Sequence, residues 1–365
     1  MENNKERDNE FGKIISKLVT VIIFLLLVIF GLAIVLYNYL PKYVPEAEFQ
    51  ISTPDKFGNF TDAGKQLALE QAKDTVDYWQ APKIEELEGN TNKDLILYGK
   101  DLIAHTSIYF GVNGKVFNSS TNGMNCQNCH LDAGTKIFGN NYSAVVATYP
   151  KYRARSGAIE NIYKRVNDCF ERSLNGKRLD SASKEMQAIV TYIKWLGKNV
   201  AKGKKPEGSG FKEIVFLDRP SNPEKGKGIY IQKCQSCHQS NGEGILNGDK
   251  TSYTYPPLWG KHSYNDGAGL YRISNFAKYI KYNMPLGASY NNTQLTDEEA
   301  WDIAAYVNSQ LRPHIVVKSD WPKIVEKPFD HPFSPYADDF SEVQHKFGPY
   351  LPIIDKLAVL KKTKK

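Results

Sequence analysis

The apolar positions of this chain fall into one unbroken run and several periodic ones. From Leu18 to Leu36 the sequence reads LVTVIIFLLLVIFGLAIVL, 19 residues without a charge. As a helix this run is ~28 Å long, enough to cross the hydrocarbon core of a bilayer. A cleaved signal would have a shorter apolar core ending in a small-residue site. Here the run leads instead into Tyr37, Tyr39 and Tyr43, residues suited to the headgroup interface. Lys5, Arg7, Lys13 and Lys17 precede it and only Lys42 lies close behind. That bias predicts residues 1–17 in the cytoplasm, an anchor over 18–40, and the remainder on the periplasmic, extracytoplasmic side of the inner membrane. Further on, the periodicity is helical. Leu95, Tyr98, Leu102 and Ile103 predict a helix over Asp94–Tyr109. Ile189, Tyr192, Ile193 and Leu196 predict a second. Asn222-Pro223 opens a third that runs through Ile229 and Tyr230 into Cys234, and Thr296 with Glu299 forms a capping box ahead of Trp301, Ile303 and Tyr306. The chain is therefore expected to be mainly α.

The helices bracket two copies of one motif, Cys126-Gln-Asn-Cys129-His130 and Cys234-Gln-Ser-Cys237-His238. Cys-x-x-Cys-His is the attachment signature of c-type haem: the thiols add to the vinyl groups and the histidine becomes the proximal iron ligand. A lone Cys-x-x-Cys also suits a zinc knuckle or a redox dithiol. Two such motifs followed by His, behind a membrane anchor, favour two covalently bound haem c groups. The expected fold is two tandem cytochrome c-like haem domains behind an N-terminal transmembrane helix. An extension spans 41–90, the first unit 91–202, a Gly- and Lys-rich linker 203–221, the second unit 222–314, and a C-terminal strap with a basic end 315–365.

Aligning the last helix of each unit, Ala188–Tyr192 against Asp302–Tyr306, locates candidate distal ligands. Met284, in Asn283-Met284-Pro285, stands 22 positions before Tyr306; the matching position, 23 before Tyr192, is Cys169. Met284 offers a thioether to the second iron, giving His238/Met284 ligation. In the first unit Met186 lies on a core-facing helical stripe, and Met124 is too near Cys126 to reach the distal face. Cys169, the odd one of five cysteines, has three readings: a buried structural thiol, half of an intermolecular disulfide, or a thiolate on the first iron beside His130. Register and the lack of another ligand favour the third. A thiolate would lower that haem's potential relative to the His/Met haem.

Composition adds limits. Lys and Arg number 47 against 40 Asp and Glu, a difference of 47 − 40 = +7. That mild, dispersed excess does not point to nucleic acid. With 41% hydrophobic and 24% charged residues, wholesale disorder is excluded. The basic residues do concentrate around Cys169: Lys151, Arg153, Arg155, Lys164, Arg165, Arg172, Lys177 and Arg178. Such cations favour a thiolate and build an oxyanion site. Lys151, Lys164, Lys177 and Arg178 read as solvated surface charges.

The segments Asn122–Gly134, Tyr149-Pro-Lys-Tyr-Arg153-Ala-Arg155-Ser-Gly157 and Arg165-Val-Asn-Asp-Cys169-Phe-Glu-Arg172-Ser173-Leu-Asn-Gly176 resemble the dihaem thiosulfate dehydrogenases, tetrathionate-forming c-type cytochromes. So do Glu185-Met186 leading to Trp195-Leu196, and the tail Asp320-Trp321-Pro322 to Gly348-Pro349-Tyr350. The resemblance implies a catalytic first haem ligated by His130 and Cys169, with Arg155, Arg165 and Ser173 around the substrate. It implies coupling of two thiosulfates to tetrathionate, or the reverse, and transfer of electrons through the second haem to a cytochrome or membrane electron-transport partner. Some relatives carry Lys directly before the second-haem Met. Here that position is Asn283. The alternatives are a non-catalytic dihaem electron-transfer cytochrome, which should have two His/Met haems, and a dihaem peroxidase, which the Arg- and Cys-bearing segment does not recommend.

Overall fold

The computed structural model describes residues 17–31, 76–248, 250–315 and 319–363. Residues 1–75 and 76–365 form separate compact units. In the first, residues 17–31 are helical. A helix of that length spans ~22 Å, and among the described residues no helix is long and apolar enough to cross a membrane. The remainder of the expected anchor, the basic residues Lys5, Arg7 and Lys13, the tyrosines at 37, 39 and 43 and Lys42 lie outside the described residues.

The larger unit is helical and contains two similar modules. The first is built on helices α1 (Lys93–Ala104) and α2 (Thr106–Phe110), a hairpin of strands β1 (Lys151–Arg153) and β2 (Ala158–Glu160), α3 (Ile162–Arg172) and α4 (Lys184–Leu196). The hairpin pairs Lys151 with Glu160 and Arg153 with Ala158. The second module has α5 (Pro223–Lys233), a short hairpin of β3 (Ile245–Leu246) and β4 (Tyr253–Tyr255), α6 (Ile273–Asn283) and α7 (Asp297–Ser309). Its α5 begins as the sequence predicts, with the Asn222 side chain accepting from the amides of Glu224 and Lys225. The Thr296–Glu299 capping box on α7 forms as well.

In each module the first helix crosses the last at backbone contact, α1 on α4 and α5 on α7. A Cβ added to Gly99 would stand 2.1 Å from the Ala188 carbonyl oxygen, and one on Gly226 1.9 Å from that of Asp302. Only glycine permits so close an approach. Around these crossings lie two separate cores. One holds Leu102, Phe110, Phe170, Met186, Ile189 and Leu196; the other holds Tyr230, Phe276, Ile280, Trp301 and Ile303. Full burial of each such aliphatic side chain contributes roughly 1.5–3 kcal/mol.

The sequence predicts one helix over Asp94–Tyr109, whereas the structure breaks it at His105 (φ −127°, ψ 38°). The cause is tertiary. Thr106 Oγ1 donates to the Leu102 carbonyl and accepts from the Cys126 amide, and the Ser107 amide donates to Asn125 Oδ1. The break thus seats the loop that carries the first motif. The tail also differs from a plain strap. Its helices α8 (Glu342–Phe347) and α9 (Leu351–Thr363) add Ile353 and Leu357 to the second core. Lys361 and Lys362 end α9; Lys364 and Lys365 lie outside the described residues.

Candidate active site

Each motif lines its own cavity. Cys126, Cys129 and His130 face one of ≈ 380 Å³, and Cys234, Cys237 and His238 face one of ≈ 230 Å³. His130 Nδ1 lies 2.6 Å from the Asn140 carbonyl, and His238 Nδ1 2.9 Å from that of Pro256. With Nδ1–H held by a carbonyl, Nε2 of each ring is left as a lone-pair donor for a metal. Burial pushes His130 down to about 4 and lowers His238, so both rings are neutral, the form that ligates.

Burial disfavours the thiolate form of three of the four motif thiols. Burial pushes Cys126 and Cys129 up to about 12 and Cys234 up to about 11, opposite to the low values of reactive Cys-x-x-Cys dithiols. Among the described residues no group of three or more His, Cys, Asp or Glu side chains converges on a metal position. Apolar walls, paired thiols and a neutral, oriented imidazole fit a tetrapyrrole in both cavities. The first also offers cations for a macrocycle's carboxylates. Lys151, Arg153 and Lys205 line it, and none has a carboxylate partner among the described residues.

The candidate distal residues reach the same cavities from equivalent elements, two helices of 11 residues each. Met284 follows α6 directly and lines the cavity of His238. Cys169 is in the last turn of α3 and lines the cavity of His130. The Arg165 Nη1–H, one turn earlier on α3, donates to Cys169 Sγ at 3.2 Å. Its electrostatic interaction with Cys169 raises the Arg165 pKa, burial opposing it. Met186 is fully buried in the core, as its helical stripe predicts.

A second, smaller space of ≈ 150 Å³ adjoins the first through Arg153, Arg165 and Ser173, and Arg155 also lines it. The four proposed site residues therefore come together, but the cations differ in their freedom. Arg172 is buried between Asp168 and Asp320, with Nη1 2.9 Å from one carboxylate and Nη2 3.1 Å from the other. Burial opposes the ionised Asp168, and Lys164 and Arg172 together more than offset it. Arg155 donates to the Gly267 carbonyl at 2.7 Å and lies 3.7 Å from Asp320. Lys164 pairs with Glu160 and Asp168, and exposed Arg178 with Glu171. Lys151, which the sequence presents as a surface charge, is half-buried on β1 and lines the first cavity; its charge is disfavoured by burial and by Arg153, Lys205 and Arg165. Lys205 carries no local signal. It reaches the cavity because 203–210 folds back on the first module, where the Phe138 and Asn140 amides donate to the Gly208 and Gly210 carbonyls.

The two cavities touch. Met124 and Cys129 line both. Tyr279 Oη–H on α6 donates to the Asn128 carbonyl within the first motif at 2.7 Å. Asn283, beside Met284, is buried and donates to the Phe138 carbonyl of the first module at 3.1 Å.

Two joined modules, each with a haem-attachment motif and a sulfur residue facing one cavity, define a dihaem c-type cytochrome. Residues 114–201 match the SoxA/TsdA cytochrome c domain and 223–310 the cytochrome c family, so the chain carries two covalently bound haem c groups. It is 42% identical over 206 residues to a thiosulfate dehydrogenase of Psychrobacter arcticus, covering 56% of this chain and 62% of that one. It is 35% identical over 236 residues to a thiosulfate dehydrogenase of Stutzerimonas stutzeri, covering 65% and 73%. A third thiosulfate dehydrogenase, from Allochromatium vinosum, is 38% identical over 196 residues, covering 53% and 71%. Among solved structures, the thiosulfate dehydrogenase (TsdBA) of Marichromatium purpuratum in its as-isolated form superposes with a TM-score of 0.60 at 28% identity, over 69% of this chain and 55% of that one. The chain belongs to the thiosulfate dehydrogenase family.

Proposed function

We propose that the protein oxidatively couples two thiosulfates to tetrathionate, and runs the reverse, in the first cavity. The observation that carries this reading is the Arg165–Cys169 contact inside the cavity of His130, with Arg155 and Ser173 on the adjoining space. His130 and Cys169 would hold the first haem, and His238 and Met284 the second. The haems supply two one-electron sinks.

Two thiosulfates bring four negative charges together and tetrathionate keeps two, so two electrons leave as the sulfur–sulfur bond forms. Arg155 and Arg165 offset the repulsion between the dianions, an electrostatic role worth several kcal/mol in a site closed to water. Ser173 offers a hydroxyl donor at the junction of the two spaces. Among the described residues lining that cavity, Cys169 is the one thiol not engaged in haem attachment. A pure electron-transfer cytochrome would need a methionine in place of Cys169, yet Met186 is sealed in the core and Met124 sits in the wall between the cavities.

The electrons leave through the second haem to a cytochrome or membrane electron-transport partner. The uncharged run Leu18–Leu36, helical over its described part, supports an anchor in the inner membrane with the haem modules in the periplasm. The purified full chain should reduce ferricyanide with thiosulfate and oxidise a reduced viologen with tetrathionate. Peroxide turnover without either activity would replace this reading. Salt washing should leave the protein in membranes and detergent should release it.

A further inference from the structure

Arg155 is held from the far end of the chain. The Trp321 amide donates to the Arg155 carbonyl at 2.6 Å, and the Arg155 guanidinium lies 5.2 Å from the centre of the Trp321 ring. The ring is itself fixed, because its Nε1–H donates to His331 Nε2 at 3.1 Å. Trp321 is 9% exposed and has φ 62°, a left-handed conformation uncommon for a bulky residue. Such backbone persists only where surrounding contacts over-determine it. Pro322 supplies one of those contacts: it packs where Gly157 lacks a side chain, and a Cβ there would stand 2.5 Å from Pro322 Cγ. Trp321 also lines the ≈ 150 Å³ space together with Arg155, Arg165 and Ser173.

We propose that Trp321 is a positioning residue: its ring and amide fix the Arg155 guanidinium in the space adjoining the Cys169 cavity, making the C-terminal strap part of the substrate-anion site. The inference rests on the thiosulfate reading above and adds a residue to it. An arginine side chain has several rotatable bonds and loses binding strength when it must be ordered by the ligand. A face of π-electrons under the guanidinium orders it beforehand without neutralising it. Asp320 alone would do otherwise, since a carboxylate competes with the substrate for the same cation.

The test compares full-length holoenzymes. Trp321→Leu keeps an apolar side chain but removes the π face. Trp321→Phe keeps an aromatic face and loses the bond to His331 and part of the ring area. Trp321→Leu should raise the KM for thiosulfate about five- to twentyfold while kcat stays within about threefold, and Trp321→Phe should restore the KM to within about twofold of wild type. Calorimetric binding of thiosulfate to the fully reduced proteins, which cannot turn over, gives an independent reading with the same expected ratio. Equal affinity in wild type and Trp321→Leu, or an equal loss in Leu and Phe variants, overturns the proposal. A wild-type protein that binds thiosulfate more tightly than Trp321→Leu but turns over neither thiosulfate nor tetrathionate would sink the catalytic reading and keep this one. Failure of the wild type to bind overturns both.

Discussion

Arg165 and Cys169 stand one turn apart on the same helix, with the guanidinium 3.2 Å from the sulfur. The spacing means that a single helical turn carries both the sulfur that lines the cavity of His130 and the cation bonded to it. Cys169→Gly should therefore lose activity in both directions by at least about 10³-fold, while a haem stain after denaturing electrophoresis still shows two attached haems. Arg165→Ala should lose about 10²–10³-fold, with Arg165→Lys intermediate. Near-normal thiosulfate oxidation by Cys169→Gly would remove Cys169 from the chemistry.

Met284 lies on the other cavity, and the proposed function gives it the second iron and so the exit of electrons. Met284→Ala should shift the spectrum and potential of the second haem only. Thiosulfate affinity should stay within about twofold, because no residue near Cys169 changes. Electron delivery to an external cytochrome, followed by stopped-flow, should slow by more than about tenfold. Unchanged spectra would show that another residue ligates that iron.

The glycine crossings give a stability prediction with a built-in control. Gly226→Ala forces a Cβ against the Asp302 carbonyl, and Gly99→Ala one against that of Ala188. Each should cost about 1–3 kcal/mol by overpacking. Gly228, on the same helix as Gly226, has open space around its Cα, so Gly228→Ala should be neutral or stabilise by up to about 1 kcal/mol. Thermal denaturation of the three holoproteins separates the effects.

His331 sets a pH dependence. Burial, then the nearby Lys327, pushes its imidazole down to about 3, against an ordinary value of about 6.5. Between those values the unfolded chain binds a proton that the folded chain does not. Stability should therefore fall as pH drops from about 6.5 towards 3, by at most ~1.4 kcal/mol per pH unit from this group. Urea midpoints at pH 7, 6 and 5 should show a shallower slope in His331→Gln than in wild type.

The sequence made the helices and the haem motifs legible because their signals are local. Thr296 and Glu299 cap α7 from three residues apart, and Cys-x-x-Cys-His is contiguous. The repeat register carried further, bringing Met284 and Cys169 each to the cavity of its own motif histidine. What stayed hidden depends on partners distant in sequence. The break at His105 is made by Cys126 bonding back to Thr106, which no periodicity reports. Lys205 and Lys151 reach the cavity through a backward fold of 203–210 and a three-residue strand. Arg155 reads as a free cation in sequence, but Gly267, Asp320 and Trp321, each more than a hundred residues away, decide where it points.

Met124 and Cys129 belong to the walls of both cavities, so the two cavities share part of one wall. On the proposed function, electrons crossing between the modules traverse that shared wall. Thickening the solvent with glycerol should accordingly leave the internal transfer rate untouched and slow only the meeting with an outside partner. On that reading the paired modules act as a conductor whose throughput is governed at its two ends.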